Sequence, residues 1–484
     1  MIATTISSPQ ATPVARLAAE ELARYLERMT GEREPIANAA PAPAIRLEVD
    51  ANDPALAATD SFRIAEDNDV ITIRSASPRG LLMAAYHYLR LLGCRFYFPG
   101  ADNEFVPKRN DAILRGVDVT ESPAFDKRGV VIYARNTAFA DWFDFAPKVK
   151  LNTIAVHSFD DVVQAEPLAA ARGLRLDVET HAFGGDLCPT NHDNLRRETE
   201  KMAELVRRLP DCVHDLFLWP KDASLKPCGC PEHQHLSASD EVLMLVNKLL
   251  AAARTVRPAE RLCYLAYVNT LPAPKQAKPD DGVFLEWAPM NRCMSHALTD
   301  PDCTINARDH IPHLLDNLKL FPADQAQVLG YWLDSSLFNR GQYKANAGRL
   351  PLFPDIIRSD FKYYASLGFN EITTFAVGLD KEYFARFTSP SVTAYADLLW
   401  DTDADVEGET KLFCENFFGT ADAQVGLVLD TAMDERHNPD AVRVDAEIEE
   451  AIPAVAALAR DASDDFHRTR LLRLEAELRH RLAV

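Results

Sequence analysis

Side chains able to do acid–base chemistry and to stack on a sugar ring recur immediately after a series of short apolar runs. His157 follows one run, Glu179 and His181 the next; then come Trp219 with Asp222, Tyr267 with Asn269, Glu286 with Trp287 and Arg292, and Tyr331 with Trp332 and Asp334. Three of the five tryptophans belong to this set. Flat aromatic faces beside carboxylates suit a saccharide, whose ring presents apolar C–H faces and a rim of hydroxyls. Cleaving a glycosidic bond takes one carboxylic acid to protonate the leaving oxygen and a second group to stabilise or attack the oxocarbenium-like centre. Asp222, Glu286 and Asp334 are therefore the candidate catalytic carboxylates. The other residues named, with His296, are candidate substrate contacts. Each has a plainer reading as well. The carboxylates read as helix caps, loop charges or ion-pair partners, Asp222 beside Lys221 in particular; the tryptophans read as packing between layers, and His157 and His181 as satisfied buried imidazoles.

Cys228-Gly229-Cys230-Pro231-Glu232-His233-Gln234-His235 gathers four soft-metal ligands within eight residues. Structural zinc sites usually join two separated ligand couples, and no C-x-x-C partner occurs elsewhere in the chain. The expectation is a reduced, loop-stabilising cluster with substoichiometric zinc, no catalytic metal and no cofactor. No Gly-rich phosphate loop, GxSxG elbow or HExxH helix occurs, which leaves nucleotide-dependent and serine-hydrolase chemistry without support.

The elements that must position these groups follow from the hydrophobic period. Thr12-Pro13 opens a helix whose apolar residues recur from Val14 to Met29 and stop at Gly31, and Ser77-Pro78 opens another that ends at Gly93. Between them, 44–49 and 70–74 alternate like half-buried strands. These make a small α+β domain over residues 1–115. From about residue 122 eight apolar runs follow: 129–133, 153–157, 174–179, 214–219, 262–267, 283–287, 328–333 and 371–377. Helical stretches separate most of them. The predicted fold class is α/β, a (β/α)₈ TIM-like barrel over 122–400, whose strand ends are where an active site is built. Residues 409–418 and 444–482 read as helices of a C-terminal module spanning 401–484.

Composition narrows the classes further. Lys+Arg 52 against Asp+Glu 72 gives a net charge of −20 over 484 residues, a field that repels phosphate backbones and anionic lipid. A carbohydrate partner is expected, rather than nucleic acid or a membrane. No run reaches the ~18 apolar residues of a membrane span, and Met1–Pro13 lacks the features of a signal peptide, so a cytoplasmic protein with reduced thiols is expected.

Residues 18–26 (AAEELARYL), 77–82 (SPRGLL) and 92–100 (LGCRFYFPG) resemble the N-terminal accessory domain shared by family 20 hexosaminidases and family 67 α-glucuronidases. Residues 150–153 (KLNT), 228–230 (CGC), 265–267 (LAY) and 360–364 (DFKYY) resemble the domain-of-unknown-function 4838 family, which includes glycoside hydrolase family 163 endo-β-N-acetylglucosaminidases. The resemblance covers about 14–420. Two departures stand out: His233 occupies a position where the family usually carries a cysteine, and Pro220-Lys221-Asp222 replaces an Asn-Asp-Gly-like turn. The resemblance implies a glycosidase, with Asp222 as general acid because related barrels carry theirs after the fourth strand. Glu286 is expected as its partner, and Asp334 as the alternate. With no evident leader, an exo-acting enzyme on small imported saccharides is expected. Two other functions compete: a uronic-acid-releasing exo-glycosidase, with Arg292, Lys221 or His296 clamping the sugar carboxylate, and a barrel that binds carbohydrate without cleaving it.

Overall fold

The computed structural model describes residues 5–7, 12–33, 35–37, 42–56, 58–184, 188, 190–222, 225–340, 343, 348–387, 389–426 and 441–483. The N-terminal helix Pro13–Thr30 forms as the sequence signals dictate: the Thr12 side chain accepts from the Ala15 amide, Pro13 fills the first turn, and Gly31 ends the helix at φ 84°. It packs with helix Pro78–Leu91 against a six-stranded sheet. The outer strand of that sheet, Asp118–Glu121, lies just past the limit of 115 drawn from the sequence and pairs antiparallel with Phe62–Asp67.

Eight parallel strands then close into a barrel: Lys127–Ile132, Thr153–Val156, Arg175–Phe183, Asp215–Pro220, Arg261–Ala266, Val283–Trp287, Gln327–Gly330 and Glu371–Phe375, the last pairing back onto the first. They are the eight predicted runs, and they are here called the first to eighth barrel strands. Among the described residues an α-helix follows every strand except the fifth. There the chain carries Pro272, Pro274 and Pro279, which cannot donate the amide bonds of a helix. The buried Asp240 instead accepts from the amides of Lys275, Gln276 and Ala277 and fixes that segment.

The barrel is joined to the N-terminal domain by a buried ionic knot. Asp60 accepts from Arg79 Nε at 2.7 Å, from Arg128 Nη2 at 2.8 Å and from Asn152 Nδ2 at 2.8 Å. Burial would raise the Asp60 carboxyl, but the two guanidinium groups outweigh it and hold it at about 2. At the other end, helices Val406–Phe418, Ala441–Asp461 and Asp465–Leu482 pack together; the last two replace the single predicted 444–482 stretch, broken where Asp464 caps the final helix. No helix among the described residues is long and apolar enough to cross a membrane.

Candidate active site

The interior of the barrel is unusually polar, and its layers explain the site above it. Along the third strand Asp177, Glu179 and His181 alternate inward, as the period of two requires. Asp177 pairs with Lys127 Nζ at 2.6 Å. One layer higher, Gln327 Nε2 lies 3.1 Å from Glu179 Oε1 and 3.2 Å from Glu286 Oε1, and the Trp219 indole donates to Glu286 Oε2 at 2.5 Å. Glu179 and Glu286 are both wholly buried. Burial is the first cause raising each carboxyl above the usual glutamate value, and for Glu179 the neighbouring Glu286 charge adds to it.

The folded protein therefore holds on Glu286 a proton that the unfolded chain releases near the ordinary value of 4.5. The contribution of that proton to stability is full below that pH and is lost as pH rises toward about 7. Glu286→Gln, which keeps an oxygen for the Trp219 indole, is expected to flatten this slope. The melting temperature of the variant relative to wild type should climb between about pH 5 and about pH 8, and parallel curves would refute the account of a proton held on buried Glu286.

Above this layer opens a cleft of about 210 Å³, lined by Tyr133, His157, His181, Trp219, Asp222, Tyr267, Met290, Tyr331, Asp334, Arg340 and Phe375, among others. Trp219 forms the floor, with its indole turned down to Glu286. Around it His157, His181 and Phe375 pack with ring centroids at 5.4, 5.2 and 5.9 Å. His157 Nδ1 bonds the Glu179 carbonyl at 2.6 Å and His181 Nδ1 the Pro220 carbonyl at 2.5 Å. A carbonyl only accepts, so both rings carry their proton on Nδ1, and when neutral each keeps Nε2 as an acceptor. Burial lowers His157 to about 4.

Among the described residues, two carboxylates reach the cleft. Asp334 is buried, and its Oδ1 accepts from the Ser336 amide at 3.0 Å, the Ser336 hydroxyl at 2.7 Å and the Leu337 amide at 3.3 Å. Burial nonetheless keeps it above the usual aspartate value. Asp222 is exposed at the rim, with the Tyr267 hydroxyl 3.4 Å from its Oδ1. Asn269 lies outside the lining and holds the Asp222 loop: its side chain accepts from the Leu225 amide at 3.0 Å and donates to the Leu225 carbonyl.

Besides Asn269, six of the expected site residues lie away from the cleft. Glu286 and Glu179 are sealed beneath the floor. Trp287, next to the inward Glu286, is fully buried beside Tyr364 of helix Pro354–Leu367. Trp332, next to Tyr331, points out against Phe361 and Tyr395 and donates to Asp360 at 3.2 Å. Gly330 makes room for it, since a Cβ there would meet the Trp332 ring at 1.9 Å. Arg292 is buried in an ion pair with Asp360. The sixth, His296, lies outside the lining, its Nδ1 3.3 Å from Cys293 Sγ. The four-aromatic pocket of Trp219, Trp287, Trp332 and Tyr267 thus reduces to Trp219 and Tyr267. Conversely, Tyr133 and Val377 line the cleft and end the first and eighth runs, where the rule used for the other strands would have found them. Arg340, in a loop well past the seventh strand, had no such signal.

Known proteins can be set beside this geometry. No curated protein matches the chain. Solved structures of similar fold include a family GH115 4-O-methyl-α-glucuronidase, BtGH115A, with specificity for decorated arabinogalactans: identity 13%, coverage 99% of this chain and 72% of that one, TM-score 0.62. CpGH84B has 11% identity, coverage of 99% and 86%, and a TM-score of 0.61. The β-N-acetylhexosaminidase from Bacteroides fragilis NCTC 9343 has 12% identity, coverage of 85% and 90%, and a TM-score of 0.52. At these identities the likeness is one of fold. The model of the domain of unknown function DUF4838 matches residues 98–430, well over half of the sequence, and the chain belongs to that family.

Proposed function

We propose that the protein is a glycoside hydrolase whose cleft takes the end of a small oligosaccharide or glycan, with Asp222 and Asp334 as the catalytic carboxylates. The observation that carries this reading is the convergence of two carboxylates, from the ends of different strands, on one aromatic-floored cleft of a closed barrel. A pyranose stacked over the aromatic floor would present its glycosidic oxygen to carboxyls on the walls. Asp334 is the general acid, because burial keeps its proton to higher pH than an ordinary aspartate. Asp222, at the rim, is the partner that attacks the anomeric centre or activates water. This exchanges the role drawn from the sequence for Asp222 and replaces Glu286, which has no face on the cleft and instead holds the Trp219 indole. Trp219→Ala is expected to weaken sugar binding by about 1–3 kcal/mol, the worth of a buried aromatic contact, read by calorimetry against a sugar ligand.

An N-acetylhexosaminide is the first substrate to test, since one of the similar barrels is a β-N-acetylhexosaminidase. A uronoside is the second. Arg340 lines the cleft and supplies a cation there, whereas Arg292 is committed to Asp360. The test is a panel of aryl glycosides comprising β-N-acetylglucosaminide, α-glucuronide and β-glucuronide. Release of the aryl alcohol from one of them, lost in Asp222→Asn, supports the reading; sugar binding with no turnover on any would favour a barrel that only binds.

A further inference from the structure

The loop after the fourth barrel strand, 221–237, carries Asp222 and has no helix or strand among its described residues before Ala238. A segment of this length without regular structure needs another source of order. Four soft ligands converge on it. Cys228 Sγ and Cys230 Sγ are 3.5 Å apart, and His233 Nδ1 lies 3.1 Å from Cys230 Sγ, 3.6 Å from Cys228 Sγ and 3.8 Å from Cys188 Sγ. All four ligand atoms fall within 4.8 Å of one another. With Zn–S near 2.3 Å and Zn–N near 2.1 Å, the edges of a tetrahedral Cys₃His site are about 3.5–3.8 Å, so the set has the size of a zinc coordination shell. None of these cysteines is in a disulfide.

We propose that Cys188, Cys228, Cys230 and His233 bind one structural zinc ion, which clips the loop after the third barrel strand to the loop after the fourth. The expectation of a metal-free cluster rested on the want of a second ligand couple. The fold supplies a single cysteine, Cys188, from the preceding strand–helix loop, and leaves His235 outside the set. The backbone is arranged for this. Gly229 takes φ +68°, which lets Cys228 and Cys230 turn to the same centre, and its Cβ position is open. The His233 amide bonds the Cys230 carbonyl at 3.0 Å, and the Cys228 amide donates to the buried Glu241 carboxylate at 2.9 Å. Four protein ligands fill the shell, so the site is a closed, structural one. The proposal stands whether or not the cleft cleaves glycosides.

The test is metal analysis of the full chain purified under reducing conditions. About one zinc per chain is expected, with release by chelator lowering the melting temperature. Cobalt substituted for zinc should give thiolate charge-transfer bands in the near ultraviolet and intense tetrahedral bands in the red. Cys230→Ser should lose the metal, whereas Cys212→Ser, outside the cluster, should keep it. Should Cys230→Ser fail to fold, His233→Cys still decides: it should retain the metal and strengthen the cobalt–thiolate bands. Zinc far below one equivalent after reconstitution, with no cobalt–thiolate absorption, would overturn the site.

Discussion

Asp334→Asn and Asp222→Asn are each expected to lower kcat by at least about 10²-fold, the scale of a lost acid–base group, while leaving the fold intact. The fold survives in both because of what each side chain touches. The amide introduced by Asp334→Asn retains an oxygen that can accept from Ser336 and Leu337, and Asp222 is exposed with one long contact to Tyr267. The two variants should differ in how they depend on the leaving group. A missing acid matters least when the departing alcohol needs no proton, so Asp334→Asn should recover most of its loss on a nitrophenyl substrate and Asp222→Asn should not. The reverse pattern would return the acid role to Asp222. Near-normal turnover of Asp334→Asn on a poor leaving group would remove Asp334 from the mechanism.

Asp360→Ala is expected to destabilise the protein by about 3–5 kcal/mol, read as a shift of the denaturant midpoint, because it strands a buried guanidinium. Arg292 and Asp360 are almost wholly enclosed, and Asp360 also accepts from the Leu298 amide at 2.8 Å and from the Trp332 indole. One carboxylate thus fixes the loop after the sixth strand, the outward tryptophan of the seventh and the helix Pro354–Leu367. Replacing both charges, as in Arg292→Met with Asp360→Leu, should cost less than Asp360→Ala alone, since neither partner is then left unpaired. Arg292 variants that fold should keep the wild-type KM; a raised KM at matched stability would reinstate Arg292 as a sugar clamp.

The sequence by itself determined the frame. Short apolar runs alternating with helical stretches identify the eight barrel strands, because apolar runs, helical period and caps are local properties. The Thr12-Pro13 start and Gly31 stop mark a helix for the same reason. It also located the end of the barrel where chemistry collects: His157, His181, Trp219, Asp222, Tyr267, Tyr331 and Asp334 all line the cleft. What it could not order was depth and face. Successive residues of a strand point to opposite sides, so Glu286 and Trp287 cannot both face the interior; Tyr331 and Trp332, just past the end of the seventh strand, also part, one to the cleft and one outward. Which of each pair turns inward is set by its partners across the barrel. Glu286 is drawn in by the Trp219 indole and Gln327, and Trp332 is drawn out by Asp360 on a helix that begins over twenty residues later. Depth is likewise tertiary: Glu179 and Glu286 end up below the floor because Trp219 of the fourth strand, packed against His181 of the third, closes over them and donates its indole to Glu286. Cys188 joins the cysteine loop only because neighbouring parallel strands bring their following loops together, a closeness that sequence distance conceals.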